Sequence, residues 1–183
     1  MKGIVFTEFL EMVEDVFSPD VADAIIEHAN LPSGGVYTAV GTYDHSEMVR
    51  LVTALSRETG TEVDDLLEVF GKYLFGRFRA LYPDFFTGVD SAFGFLEHVE
   101  DYIHVEVRKL YPDAELPTFD TRRLDSERLV MEYSSARPFA HLANGLIHGC
   151  LESFGETAEV DFEDLSHGED THTRFTLRLV DNG

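Results

Sequence analysis

Residues 116–137 read LPTFDTRRLDSERLVMEYSSAR, and here the sequence changes character. Leu116 to Arg123 and Leu129 to Arg137 are short runs carrying Thr, Phe, Val and Tyr, split by the polar Leu124-Asp-Ser-Glu-Arg128. Two such runs around a polar turn predict a β-hairpin. Upstream, every strong pattern is helical. Val5, Phe9, Met12, Val13 and Phe17 recur at helical spacing, and Ser18-Pro19-Asp20 breaks that helix. Val21 to Ala29 starts a second helix, and Leu31 to Gly35 is a loop. Met48, Leu51, Val52 and Leu55 mark a third. Glu62 to Leu81 carries Leu66, Leu67, Phe70, Leu74 and Phe78 on one stripe. Residues 91–111 are predicted as one long helix with Leu96, Val99, Ile103, Val107 and Leu110 on one face, ended by Pro112. Downstream, Pro138 to Phe154 is helical. Ala158 to Leu165 and Thr171 to Val180 then alternate around His167-Gly-Glu-Asp170, a second hairpin. The predicted class is α+β, a helical N-terminal part followed by helices and a small antiparallel sheet of about four strands. The whole of 1–183 is read as one domain, with an N-terminal helical subdomain over 1–65 and a second subdomain over 66–183.

Composition narrows the function. Hydrophobic residues make up 44%, with 15 Phe, so the chain can bury a sizeable core. Fourteen Lys and Arg stand against 35 Asp and Glu, a net charge of −21. That field repels phosphate backbones and anionic lipid, which argues against nucleic-acid or membrane partners. The single cysteine, Cys150, can form neither an internal disulfide nor a cysteine zinc cluster, and fits a reducing compartment. Glu8, Glu11, Glu14 and Asp15 are out of place in a secretory leader, and no apolar run approaches the ~20 residues of a membrane span. A soluble, cytoplasmic protein is expected. No Gly-x-Ser-x-Gly elbow, Walker loop or dinucleotide fingerprint occurs, so no enzyme activity is expected.

Two groups of residues could carry chemistry. His104 follows Ile103 about 100° further round the helix, at the margin of the apolar stripe. A ring there can enter a cavity beside the core and ligate a metal; the alternative is an exposed helical histidine. Tyr133, Ser135 and Arg137 alternate along the second strand and so share a face. They offer two hydroxyls and a guanidinium over roughly 13 Å, at ~3.3 Å per residue. That suits a ligand bearing carboxylates; the alternative is a polar strand face with one cation. The acidic runs 62–65 and 156–164 lack EF-hand spacing and read as solvated surface. His141 and His148, seven apart on one helix, also read as surface residues.

The order of these features resembles the haem–nitric oxide/oxygen-binding family, the H-NOX domains, over essentially the whole chain. Met1-Lys-Gly-Ile-Val-Phe6 is similar to that family's start. Tyr133-Ser-Ser-Ala-Arg137 matches its Tyr-x-Ser-x-Arg motif, His104 lies where the family places its proximal ligand, and Pro117 follows at the family offset. The resemblance implies haem b held between the two subdomains, with His104 on the iron. Tyr133, Ser135 and Arg137 would hold the propionates, and Pro117 would pack on the macrocycle and distort it. Haem needs an axial imidazole, an apolar cavity and donors for two propionates, and these residue types supply them.

Aligned through the motif, the distal tyrosine of oxygen-binding members falls at Leu142, and its supporting Trp and Asn fall at Phe9 and Leu74. Val5, Phe78 and Leu146 complete an apolar wall, which implies binding of NO and CO rather than O2. His141 adjoins this wall, one residue off the tyrosine's position. His167 and His172 fall near the histidines of a zinc site found in some members, but its cysteine positions read Ala140, Leu165 and Thr173, so no zinc is expected. The implied function is a haem-based NO sensor. Gas binding weakens the iron–His104 bond, the long helix moves, and a partner in trans reads the shift. That partner would be a histidine kinase or a diguanylate cyclase/phosphodiesterase. The other readings are an O2-binding haem protein and a haem-free binding module of the same fold. A haem peroxidase would want a distal His–Arg pair, which this wall lacks.

Overall fold

The computed structural model describes residues 1–168 and 170–180. Glu169, which the sequence reading puts in the second polar turn, and 181–183, which it includes in the single domain, lie outside the described residues. Four helices come first: α1 (Gly3–Val16), α2 (Pro19–His28), α3 (His45–Thr59) and α4 (Val63–Leu81). Local chemistry sets their ends. The Ser18 hydroxyl accepts the Val21 N–H and Pro19 opens α2; the Asp44 carboxylate accepts the Ser46 N–H ahead of α3. Gly60, at φ 73°, closes α3 in the left-handed conformation. A 3₁₀ turn (Pro83–Phe86) leads to α5 (Ala92–Glu97), a π-helical turn (Val99–Ile103) and α6 (His104–Leu110). Then come β1 (Thr118–Arg123), β2 (Arg128–Ser135), α7 (Ala140–Ser153), β3 (Ala158–Asp164) and β4 (Thr171–Leu179).

The strands form one antiparallel sheet in the order β1-β2-β4-β3. The fold is thus α+β with a four-stranded sheet, as the sequence predicts. Leu129, Met131, Tyr133, Phe175 and Leu177 alternate onto the sheet's inner face. There they pack with Ile147 and Leu151 of α7 and Phe93 and Leu96 of α5. A second core gathers Phe6, Phe9 and Met12 of α1, Leu51 and Leu55 of α3, and Phe70 of α4. The two cores adjoin at α4 and α7.

Those two helices touch backbone to backbone. A Cβ on Gly71 would run into the Leu142 carbonyl and Leu146 nitrogen, and one on Gly145 into the Glu68 backbone. The crossing therefore requires glycine on both sides. Gly145→Ala should destabilise the fold by about 1–3 kcal/mol, the usual range for overpacking. A chemical-denaturation midpoint that does not fall would count against this contact.

The long helix over residues 91–111 is a correction. It is broken after Glu97, and the backbone widens into a π turn in which the Ile103 N–H reaches the His98 carbonyl at 3.0 Å. Such a turn takes in an extra residue and rotates the helix beyond it relative to the helix before it. His104 consequently lies inside the fold, not at the margin of a continuous stripe. A smaller difference is at the end of β2. The strand stops at Ser135, whose hydroxyl accepts the Arg137 N–H at 3.1 Å and turns the chain toward α7. Strand alternation therefore does not govern Arg137.

Candidate functional site

A cavity of about 550 Å³ lies among α1, α4, α6, α7 and the end of β2. Ten of the eleven candidate residues line it. Val5, Leu74, Phe78, Leu142 and Leu146 form an apolar wall from α1, α4 and α7. His104 enters at the first residue of α6, and Pro117 from the segment before β1. Tyr133, Ser135 and Arg137 contribute from β2 and the bend after it. Phe9 is the exception. It is fully buried in the N-terminal core, edge-to-face with Phe70 at 5.1 Å between ring centroids, and does not reach the cavity. Aligned position alone placed it there; its ring turns toward α4.

His104 is only 8% exposed. Its Nδ1 lies 3.0 Å from Glu100 Oε2. A carboxylate only accepts, so Nδ1 carries the proton and Nε2 is the nitrogen left to ligate a metal. Burial pushes the imidazole below its ordinary range, against the opposing pull of Glu100. A neutral imidazole is the ligating form. The Phe119 ring packs beside it at 5.9 Å.

The polar end of the cavity is preassembled. Burial raises the Tyr133 hydroxyl above its usual range, so it stays a neutral donor. The Arg137 side chain is 14% exposed, and its guanidinium pairs with the Glu115 carboxylate while Nη1 donates to the Glu115 carbonyl at 3.3 Å. Sequence reasoning supplied a ligand carboxylate for this fork and missed Glu115, a carboxylate of the chain itself. It also missed Tyr82 and Tyr111, which line the cavity with their hydroxyls 3.2 Å apart. Tyr82 reads only as a turn residue before Pro83, and Tyr111 only as a helix end before Pro112.

The other histidines lie elsewhere. His141 points away from the cavity: Nδ1 is 2.9 Å from Glu68, Nε2 is 3.5 Å from Asp64, and the ring stacks on Phe162 at 4.5 Å. The His98 ring takes the Gly94 carbonyl at 2.6 Å. His172 Nε2 is 3.1 Å from Glu132 across β2 and β4.

One buried neutral imidazole, a large apolar cavity and a cluster of propionate-type donors fit haem in kind and number. Fold and cavity together define a haem-pocket domain of α+β architecture. The Haem-NO-binding family model matches residues 2–162, and the chain belongs to that family, the H-NOX domains. Its members are haem-binding, gas-binding sensors. The Fe(II) unliganded H-NOX protein from K. algicida is 40% identical, with 100% of this chain and 98% of that chain covered and a TM-score of 0.92. An Fe(II) H-NOX mutant from S. oneidensis is 25% identical over 100% and 98%, with a TM-score of 0.91. An oxygen-binding H-NOX domain related to soluble guanylate cyclases, crystallised as its oxygen complex, shares the fold at 22% identity, with coverage of 99% and 96% and a TM-score of 0.84. No curated protein matches the chain. Among the described residues, no helix is long and apolar enough to cross a membrane.

Proposed function

We propose that this chain is a haem b-based sensor of nitric oxide, with His104 as the axial ligand of ferrous iron. The observation that carries the proposal is His104 itself, buried in the cavity wall with Nδ1 tied to Glu100 and Nε2 spare. When bound, the haem would supply an iron able to take up a diatomic gas. The chain's residues do the rest. Arg137, Ser135 and Tyr133 hold the propionates, with Arg137 exchanging Glu115 for a propionate as partner. Pro117, in the cavity lining just before β1, would pack against the macrocycle. Val5, Leu74, Phe78, Leu142 and Leu146 offer no donor to a bound gas, which favours NO and CO over O2. A shift of His104 would pass into α6, which it opens, and into the π turn directly before it. A partner protein reads that displacement, either a histidine kinase or a cyclic-di-GMP cyclase or phosphodiesterase, as the resemblance implies. In this reading 1–65 and 66–183 act as the two subdomains that move against one another.

Titrating the purified chain with haem tests the proposal. One haem per chain, with an intense Soret band of a five-coordinate ferrous histidine species, is the expected result. No saturable Soret band would leave a haem-free module of the same fold. Arg137→Ala tests the propionate contact. Loss of a charge-assisted hydrogen bond costs about 1.5–3 kcal/mol, roughly 10- to 150-fold in haem dissociation. Equal haem off-rates in mutant and wild type would show that Arg137 does not reach a propionate.

A further inference from the structure

We propose that Glu100 is a positioning residue for the axial imidazole, one whose negative charge sets how strongly His104 donates to the iron. The inference rests on His104 being the axial ligand. Glu100 lies four residues before His104, in the π turn. Its Oε2 is 3.0 Å from His104 Nδ1, and the same oxygen accepts the Phe119 N–H at 3.0 Å. Its Oε1 faces Arg108 Nη2 at 3.6 Å. The carboxylate is thus held from three elements: the π turn, α6 and β1. It cannot swing away from the imidazole without giving up the β1 backbone bond.

That pinning has two consequences. The first is orientation, because the ring plane is fixed by a hydrogen bond whose acceptor is itself immobile. The second is electronic. An imidazole that donates its distal N–H to a carboxylate becomes a more basic ligand through its other nitrogen. A more basic axial ligand strengthens the iron–nitrogen bond and favours ferric over ferrous iron. A glutamate kept only to anchor β1 would need an oxygen there but no charge. Phe119 follows Pro117 by two residues, so the same carboxylate also ties ring orientation to the proline wall of the cavity.

The test uses the full chain loaded with haem, as wild type, Glu100→Gln and Glu100→Ala. Glutamine keeps an acceptor oxygen for both N–H groups and removes only the charge. The readouts are the Fe–His stretching frequency of the ferrous protein, by resonance Raman, and the one-electron reduction midpoint. Both variants should retain haem, lower the stretching frequency and raise the midpoint. For Glu100→Gln the expected shift is about tenfold in the reduction equilibrium, about 59 mV for one electron. Glu100→Ala should shift it at least as far. An unchanged frequency and midpoint in Glu100→Gln would overturn the proposal, whether or not Glu100→Ala folds, and leave Glu100 a β1 anchor. A wild type with haem but no Fe–His band would overturn the axial assignment of His104 and this inference with it.

Discussion

His104→Ala should abolish haem binding or weaken it severely, and imidazole added in solution should restore it. Among the described residues His104 is the only histidine in the cavity wall. Removing a residue that merely orients a metal ligand costs about 10- to 100-fold in metal affinity, so loss of the ligand itself should exceed about a hundredfold. The cavity left by the imidazole has the shape of that ring, and free imidazole can occupy it and ligate the iron. His98 cannot take over, since it does not line the cavity; the hydrogen bond of its Nδ1 to the Gly94 carbonyl holds the ring elsewhere. Haem titration of the mutant, with and without imidazole, measures the effect. A wild-type-like spectrum in His104→Ala would sink the assignment.

The second large effect concerns the gas. Ferrous protein should bind NO and CO and form no stable O2 complex in air. Bound O2 carries partial negative charge and needs a donor, whereas NO binds ferrous iron tightly without one. The wall of Val5, Leu74, Phe78, Leu142 and Leu146 has none to give. His141, beside Leu142 in sequence, is turned away and held by Glu68 and Asp64. Leu142→Tyr, with Leu74→Asn to orient the hydroxyl, should therefore begin to confer O2 binding. A hydrogen bond to a polar ligand in a dry pocket is worth a few kcal/mol, on the order of a hundredfold in affinity. O2 titration of the ferrous double mutant against wild type reads the gain. A long-lived oxygenated spectrum in the unmutated protein would overturn the selectivity and make Tyr82, which lines the cavity and pairs its hydroxyl with that of Tyr111, the first donor to mutate.

Much of this was legible in the sequence because two periodicities dominate it. The stripe from Leu66 to Phe78 is long enough to declare α4, and alternation through Phe175, Leu177 and Leu179 declares β4. The π turn was not legible. The apolar stripe through Leu96, Val99, Ile103 and Val107 runs on across it, and the turn coincides with Glu100 being held by Phe119, a contact between residues 19 apart in the chain. Glu100 itself looks like any other of 35 acidic residues. Strand alternation points Arg137 to the site, but the strand ends two residues before it, where Ser135 bends the chain; the bend still brings Arg137 to the cavity. Phe9 shows the reverse. Its aligned position points to the cavity wall, and its ring packs against Phe70 instead. Tyr82 and Tyr111, just past the ends of α4 and α6, come together through their hydroxyls across 29 residues of chain, which no local pattern announces.

The absorption spectrum of the ferrous protein, recorded in air and again after addition of NO without oxygen, tests the central claim most directly. In air the predicted spectrum contains no stable oxygenated species. With NO, the Soret band should move to shorter wavelength than that of a six-coordinate NO complex, because His104 leaves the iron. A persistent oxygenated spectrum in air, or an NO complex that stays six-coordinate through His104, would contradict the account.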